Sequence, residues 1–159
     1  MRIRRRLGLV LLAAVLAGCA TPQRPDAPVG AQAWSGRLAL EVEGTQPFSA
    51  SFELKGEPAS GELTLFTPFG GTAGVLVWSP GSATLRTANS ARQFASLDAL
   101  SQEVTGTSLP IAALFDWLEG KATEVPGWRV DVSQVPQGRL RAQRSSPPPG
   151  ADLRVAFER

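Results

Sequence analysis

Polar and apolar side chains alternate with a period of two along much of the chain, and that alternation predicts strands. Trp34, Leu38, Leu40 and Val42 share one face of a first strand, and Ser35, Arg37, Glu41 and Glu43 share the other. The pattern recurs with Phe48, Ala50, Phe52 and Leu54 against Ser49, Ser51, Glu53 and Lys55. Trp128, Val130 and Val132 oppose Arg129, Asp131 and Ser133, and Leu153, Val155 and Phe157 oppose Asp152, Arg154 and Glu158. Strands with one dry and one wet face belong to antiparallel sheets, because parallel sheets are covered on both sides. Leu63–Phe66, Val75–Trp78, Ala83–Thr87 and Arg139–Arg144 read as further short strands. Gly44, the stretch from Gly56 to Gly61, Pro80-Gly81 and the stretch from Pro136 to Gly138 supply turns between them.

Two segments change period. From Ser96 to Val104 the apolar positions Leu97, Leu100 and Val104 fall on one helical face, with Ser96 as N-cap and Gly106 as stop. From Leu109 to Leu118, Pro110 suits a first helical turn, Gly120 ends the run, and Ile111, Leu114, Phe115 and Leu118 form a broad stripe beside Trp117. Residues 34–159 suffice for one domain and are too few for two. Strands, then two short helices, then strands predict a mainly β (α+β) domain: one curved antiparallel sheet with the helices on its dry face.

The first residues carry a different signal. Met1 to Arg6 concentrates positive charge, and Leu7 to Ala17 is an uncharged apolar run, too short for a stable membrane span. Leu16-Ala17-Gly18-Cys19 matches the lipobox at which bacterial lipoproteins are cut and lipidated, so residues 1–18 read as a signal peptide and Cys19 as the lipidated residue. Cys19 is the sole cysteine, which excludes an intramolecular disulfide. Each buried methylene of a lipid chain adds about 0.8 kcal/mol of membrane affinity, so the diacylglyceryl and further acyl (palmitate-type) chains of such a cysteine make a lasting anchor. Ala20 follows where an Asp would signal inner-membrane retention, which favours the outer membrane. Residues 19–33, rich in Pro, Gly and Ala, read as the lipidated end and a flexible tether spanning roughly 20 Å.

Cleavage also changes the charge. The full chain has formal net charge +2, but Arg2, Arg4, Arg5 and Arg6 leave with the signal, and twelve basic residues then face fourteen acidic ones. No basic run remains to suggest a nucleic-acid partner. The chain has no histidine and no tyrosine, which excludes His- or Cys-based zinc sites and Ser-His-Asp or Cys-His nucleophile systems. No phosphate-binding glycine loop appears, and Asp98 and Asp116 read as solvent-facing helix charges. An enzyme is not expected, nor a cofactor or metal.

What remains is apolar surface. It forms either a packed core or the wall of a hollow that holds lipid, and periodicity does not separate the two. If the fold is hollow, the central dry-face residues Leu40, Phe52, Leu65 and Leu118 line it. A solid core would instead suit a structural or assembly lipoprotein of the envelope with a protein-binding surface.

Several pieces, in order, resemble the LolB family of outer-membrane lipoprotein receptors. They are LAGC (Leu16–Cys19), WSGRLAL (Trp34–Leu40), FSASFEL (Phe48–Leu54), LTLFTPFGGTAGVLVW (Leu63–Trp78), TGTSLPIAALFDWLEG (Thr105–Gly120) and GWRVDV (Gly127–Val132). The resemblance implies a half-open barrel of antiparallel strands closed by helices around an apolar cavity for acyl chains. It implies a monomeric, lipid-anchored protein facing the periplasm that accepts lipoproteins from a LolA-like periplasmic carrier and inserts them into outer-membrane lipid. Two stretches depart from the family pattern: 120–127 is short, and Ser145 to Arg159 is proline-rich without a closing tryptophan. The resemblance also singles out Phe69, at the tip of Thr67-Pro68-Phe69-Gly70-Gly71, because the family carries a bulky apolar residue there on a protruding loop that touches the membrane. Pro68 cannot donate to a ladder and the glycines favour a sharp turn, so Phe69 either folds back over the core edge or stands exposed.

Overall fold

A computed structural model describes residues 32–159; the expected signal peptide, Cys19 and most of the tether lie outside the described residues. Within them the chain runs β1 (Gln32–Val42), β2 (Phe48–Glu57), β3 (Ser60–Phe66), β4 (Thr72–Ser79), β5 (Ser82–Arg86) and β6 (Ala91–Phe94). Then come α1 (Leu97–Thr105), α2 (Ile111–Leu118), β7 (Trp128–Asp131), a 3₁₀ turn (Val135–Gln137), β8 (Arg139–Arg144) and β9 (Ala151–Glu158).

Among the described residues all strands join one sheet in the order β6-β5-β4-β3-β2-β1-β9-β8-β7, and every pairing is antiparallel. β6 and β7 are its free edges, so the sheet stays open, a half-barrel with two helices packed on it. The proline-rich end does not leave a wall missing. β9 sits centrally, beside β1 along eight register positions from Ser35↔Glu158 to Val42↔Ala151, with Leu153, Val155 and Phe157 buried. The short stretch after Gly120 carries no strand of its own, only a bridge between Val125 and Trp128.

The dry faces assemble as the alternation predicts: Trp34, Leu40, Val42, Phe52, Leu54, Leu63, Leu76 and Trp78 are all buried. At Gly36 the join of β1 to β9 is so close that a Cβ would lie 2.0 Å from the Ala156 carbonyl oxygen. No larger residue fits there without moving backbone.

The helices show why each segment turns. Ser96 Oγ accepts from the Ala99 amide at 3.1 Å, and Gly106 ends α1 in the left-handed conformation with φ 77°. The stripe of α1 differs from the expected one. Val104 is exposed, and Ser101 is buried in its place, its Oγ accepting from the Leu109 amide at 3.0 Å and donating to the Asp98 carbonyl at 3.0 Å. A serine can be buried there because its hydroxyl satisfies the turn between the helices. α2 is the deeper element, with Ile111, Leu114, Phe115, Trp117 and Leu118 all buried. Each of these large apolar side chains contributes about 1.5–3 kcal/mol by burial, enough to hold an eight-residue helix that lacks a side-chain N-cap bond.

Candidate functional site

α2 packs on the concave side of the sheet. Phe115 meets two indoles edge-on, Trp34 of β1 at 5.6 Å between ring centres and Trp78 of β4 at 6.1 Å. Trp117 packs against Trp128 at 6.4 Å. The Trp78 indole donates to the Pro58 carbonyl and that of Trp117 to the Thr123 carbonyl, at 3.2 and 2.8 Å. Trp34 is 3% exposed, and its Nε1 has no hydrogen-bond partner among the described residues.

Leu40, Phe52, Leu65 and Leu118 come together in this one apolar cluster, each contributed by a different element: β1, β2, β3 and α2. Phe52 pairs with Leu65 across β2 and β3, and Leu40 with Leu153 across β1 and β9. Leu40, Phe52 and Leu118 are buried, while Leu65 is half-buried. Ile111, Leu114, Phe115 and Trp117 of α2 belong to the same cluster. α2 is in turn tied down by Arg159, which donates to the Leu118 carbonyl at 3.2 Å, and by the Trp117–Thr123 bond.

The second feature is the turn between β3 and β4. Thr67 holds it from three directions: its carbonyl accepts from the Gly70 amide at 3.0 Å, its amide donates to the Gly71 carbonyl at 2.7 Å, and its Oγ1 accepts from the Gly71 amide at 3.1 Å. Gly70 takes φ 83°, the left-handed conformation that favours glycine. At the tip Phe69 is 98% exposed. Of the two alternatives open to it, folding back over the core is therefore not the one adopted. A ring so exposed, on a turn so well hydrogen-bonded, is displayed by a fixed backbone.

The wet face carries the charge. Asp152 is held below the usual carboxylate range, first by its hydrogen bond with Arg141 and then by Arg154, against the opposing effect of partial burial. Among the described residues no three His, Cys, Asp or Glu side chains cluster as a metal would need, and no helix is long and apolar enough to cross a membrane.

Against this geometry, the family model described as "Outer membrane lipoprotein LolB" matches residues 31–154. That span takes in every described element down to the middle of β9. The chain belongs to the LolB family. Its relatives include the outer-membrane lipoprotein LolB of Bordetella pertussis, 36% identical over 120 residues that cover 71% of this chain and 60% of that protein. The LolB of Cupriavidus metallidurans is 33% identical over 156 residues, covering 89% of this chain and 74% of its own length. Against the Bordetella LolB, then, the chain spans only about three fifths of the relative's length. The LolB pieces quoted from the sequence fall on structure that uses them: WSGRLAL is β1 with its glycine contact to β9, TPFGG is the hydrogen-bonded turn, and LPIAALFDWLEG is the buried helix. Sequence reasoning did not find the depth of Trp117 or the contact at Gly36, since both depend on strands distant in the chain.

Proposed function

We propose that this chain is a lipoprotein anchored through Cys19 in the outer membrane, facing the periplasm, which accepts lipoproteins from a LolA-like carrier and releases them into that membrane. The acyl chains of the cargo occupy the concave side of the sheet, against Leu40, Phe52, Leu65 and Leu118. Phe69 enters the lipid and holds the mouth against the bilayer while the chains leave. The observation that carries this reading is the display of Phe69 on a turn fixed by Thr67, in a member of the LolB family. Single exposed hydrophobics are common, so the weight here lies on the fixed turn that displays the ring together with the family.

Membership of a transport family and the lack of histidine both weigh against an enzyme. Acyl chains need room, and α2 occupies it. Binding therefore draws on a state in which α2 has moved outward, and cargo shifts the population toward that state.

The test is transfer with Phe69→Glu. The variant is expected to accept lipoprotein from the carrier and keep its melting temperature, because the side chain touches no core, yet fail to deliver cargo to outer membranes or liposomes. Normal delivery would overturn the role of Phe69, and loss of acceptance would move that role from the membrane to the carrier.

The burial of α2 specifically favours a second reading. A helix that buries five side chains against the sheet suits an assembly lipoprotein of the envelope with a solid core, in which the helices never leave. Saturable binding of fatty acid or lipopeptide, displacing a hydrophobic dye, separates the two, because a solid core binds neither.

A further inference from the structure

On the wet face, opposite α2, a groove of about 590 Å³ crosses β2, β1, β9 and β8. Its floor follows the backbone of one register row, Ala50–Leu38–Val155–Leu140. The row on one side is Ser51–Arg37–Ala156–Arg139, and on the other Ser49–Ala39–Arg154–Arg141. Arginines thus alternate with alanines and serines, so small residues leave the space that the guanidinium groups border. Ala156 lies between Arg37 and Arg139, and Arg154 is two residues away on the same face of β9. With strands about 4.8 Å apart, Arg37 and Arg139 stand roughly 10 Å from each other across that alanine, within reach of one anion from both sides.

The charges are not all used. Arg141 and Arg154 pair with Asp152, and Arg154 also lies 3.6 Å from Glu41. Arg37 and Arg139 are exposed and take part in no ion pair among the described residues. Among the described residues the only acid lining the groove is Asp131, at its far end, where its carboxylate accepts from the Ser133 amide at 2.9 Å; Glu158, two residues beyond Ala156 on the same face of β9, lines the adjoining depression that Arg37 and Arg139 also border. The opposite end is lined by Pro68, next to Phe69.

We infer that this groove binds the phosphate of an anionic phospholipid headgroup, between Arg37 and Arg139 over Ala156. Guanidinium forks suit phosphate oxygens, and those of Arg37 and Arg139 have no ion-pair partner among the described residues. The choice of a lipid over another phosphate or an acidic protein comes from Pro68: a membrane that receives Phe69 brings its headgroups to that end of the groove. In that choice the inference rests on the proposed membrane contact of Phe69, but headgroup binding is measured without any transfer step, so the two fail separately.

The experiment uses the lipidated full chain in a neutral detergent. It is titrated by calorimetry with short-chain phosphatidylglycerol, with inorganic phosphate and with polyglutamate. Phosphatidylglycerol should bind saturably, more tightly than either competitor and less tightly as salt rises. Arg37→Gln combined with Arg139→Gln should weaken it roughly 30-fold, from about 1 kcal/mol per basic residue at an anionic surface, with an unchanged melting temperature. Arg86→Gln, on β5 away from the groove, should leave binding unaltered. Equal binding by the double variant, or no saturable binding, would overturn the inference. So would inorganic phosphate binding as tightly as the lipid, or polyglutamate binding more tightly.

Discussion

Phe69 and Asp152 show how differently single residues here meet water. Phe69 is an apolar ring kept in solvent by a hydrogen-bonded backbone turn. Asp152 is a carboxylate kept charged by its neighbours, only 17% exposed and bound by Arg141 and Arg154. Because its folded-state pKa lies below the unfolded value, the stability it contributes is complete above the ordinary aspartate range and disappears as pH falls through and below it. Asp152→Asn is therefore expected to cost about 1 kcal/mol at neutral pH, the upper end for an ion pair whose arginines stand half in solvent. Between about pH 5 and pH 3 the variant should lose less stability than the parent, since aspartate titrates near 3.9 when unperturbed. Urea midpoints measured across that range check it; parallel losses in both proteins would show that Asp152 is not coupled to folding. At this scale the sequence was readable where the cause is local. Proline and glycines announce the turn that bears Phe69. Nothing local announces Gly36, whose constraint is the carbonyl of Ala156, or the Arg37–Arg139 pair, which only strand order brings together.

Among the elements, those with an apolar face of regular period, strand or helix, were legible, and an edge strand without one was missed. β6 escaped because Arg92 and Gln93 are exposed on an edge strand and only Phe94 packs inward. The face of α1 was misjudged at Val104 because a hydrogen-bonded serine took the buried place. α2 was legible as a helix with a broad apolar stripe, though not as the filling of the sheet. Its central contact is Phe115 between Trp34 and Trp78, two edge-to-face pairs worth about 0.5–1.5 kcal/mol each beyond area. Phe115→Leu keeps an apolar helix face but loses both. If α2 stands in place of cargo, the substitution should lower stability by about 1–3 kcal/mol and tighten acyl-chain binding, because the inward state of the helix is weakened. A denaturant curve and a dye-displacement titration on the same protein read both effects. Weaker binding alongside weaker folding would make Phe115 part of the wall itself.

For the whole molecule, alternation was enough to give a curved antiparallel sheet with helices on its dry side, and the resemblance to the LolB family supplied its half-open form. It did not give the strand order. β9 inserts between β1 and β8, joining positions more than a hundred residues apart, and such pairing leaves no local trace. That insertion puts arginines from β1, β8 and β9 on the outer face and encloses α2 on the inner one. The two faces thus divide the proposed work: acyl chains within, headgroups without, with the Phe69 turn between them.

The central claim is that acyl chains enter the concave side of the sheet, and brominated chains test it most directly. Bromine quenches tryptophan fluorescence only at short range, and Trp34, 3% exposed, is screened from quencher in bulk solvent. In the full-length protein with Trp34 kept and Trp78, Trp117 and Trp128 replaced by phenylalanine, a lipopeptide with brominated acyl chains should quench Trp34 saturably. The unbrominated lipopeptide should restore the signal. Trp34 fluorescence that stays unchanged to saturating lipopeptide, in a variant whose melting transition shows it folded, would contradict the account and leave the sheet with a solid core.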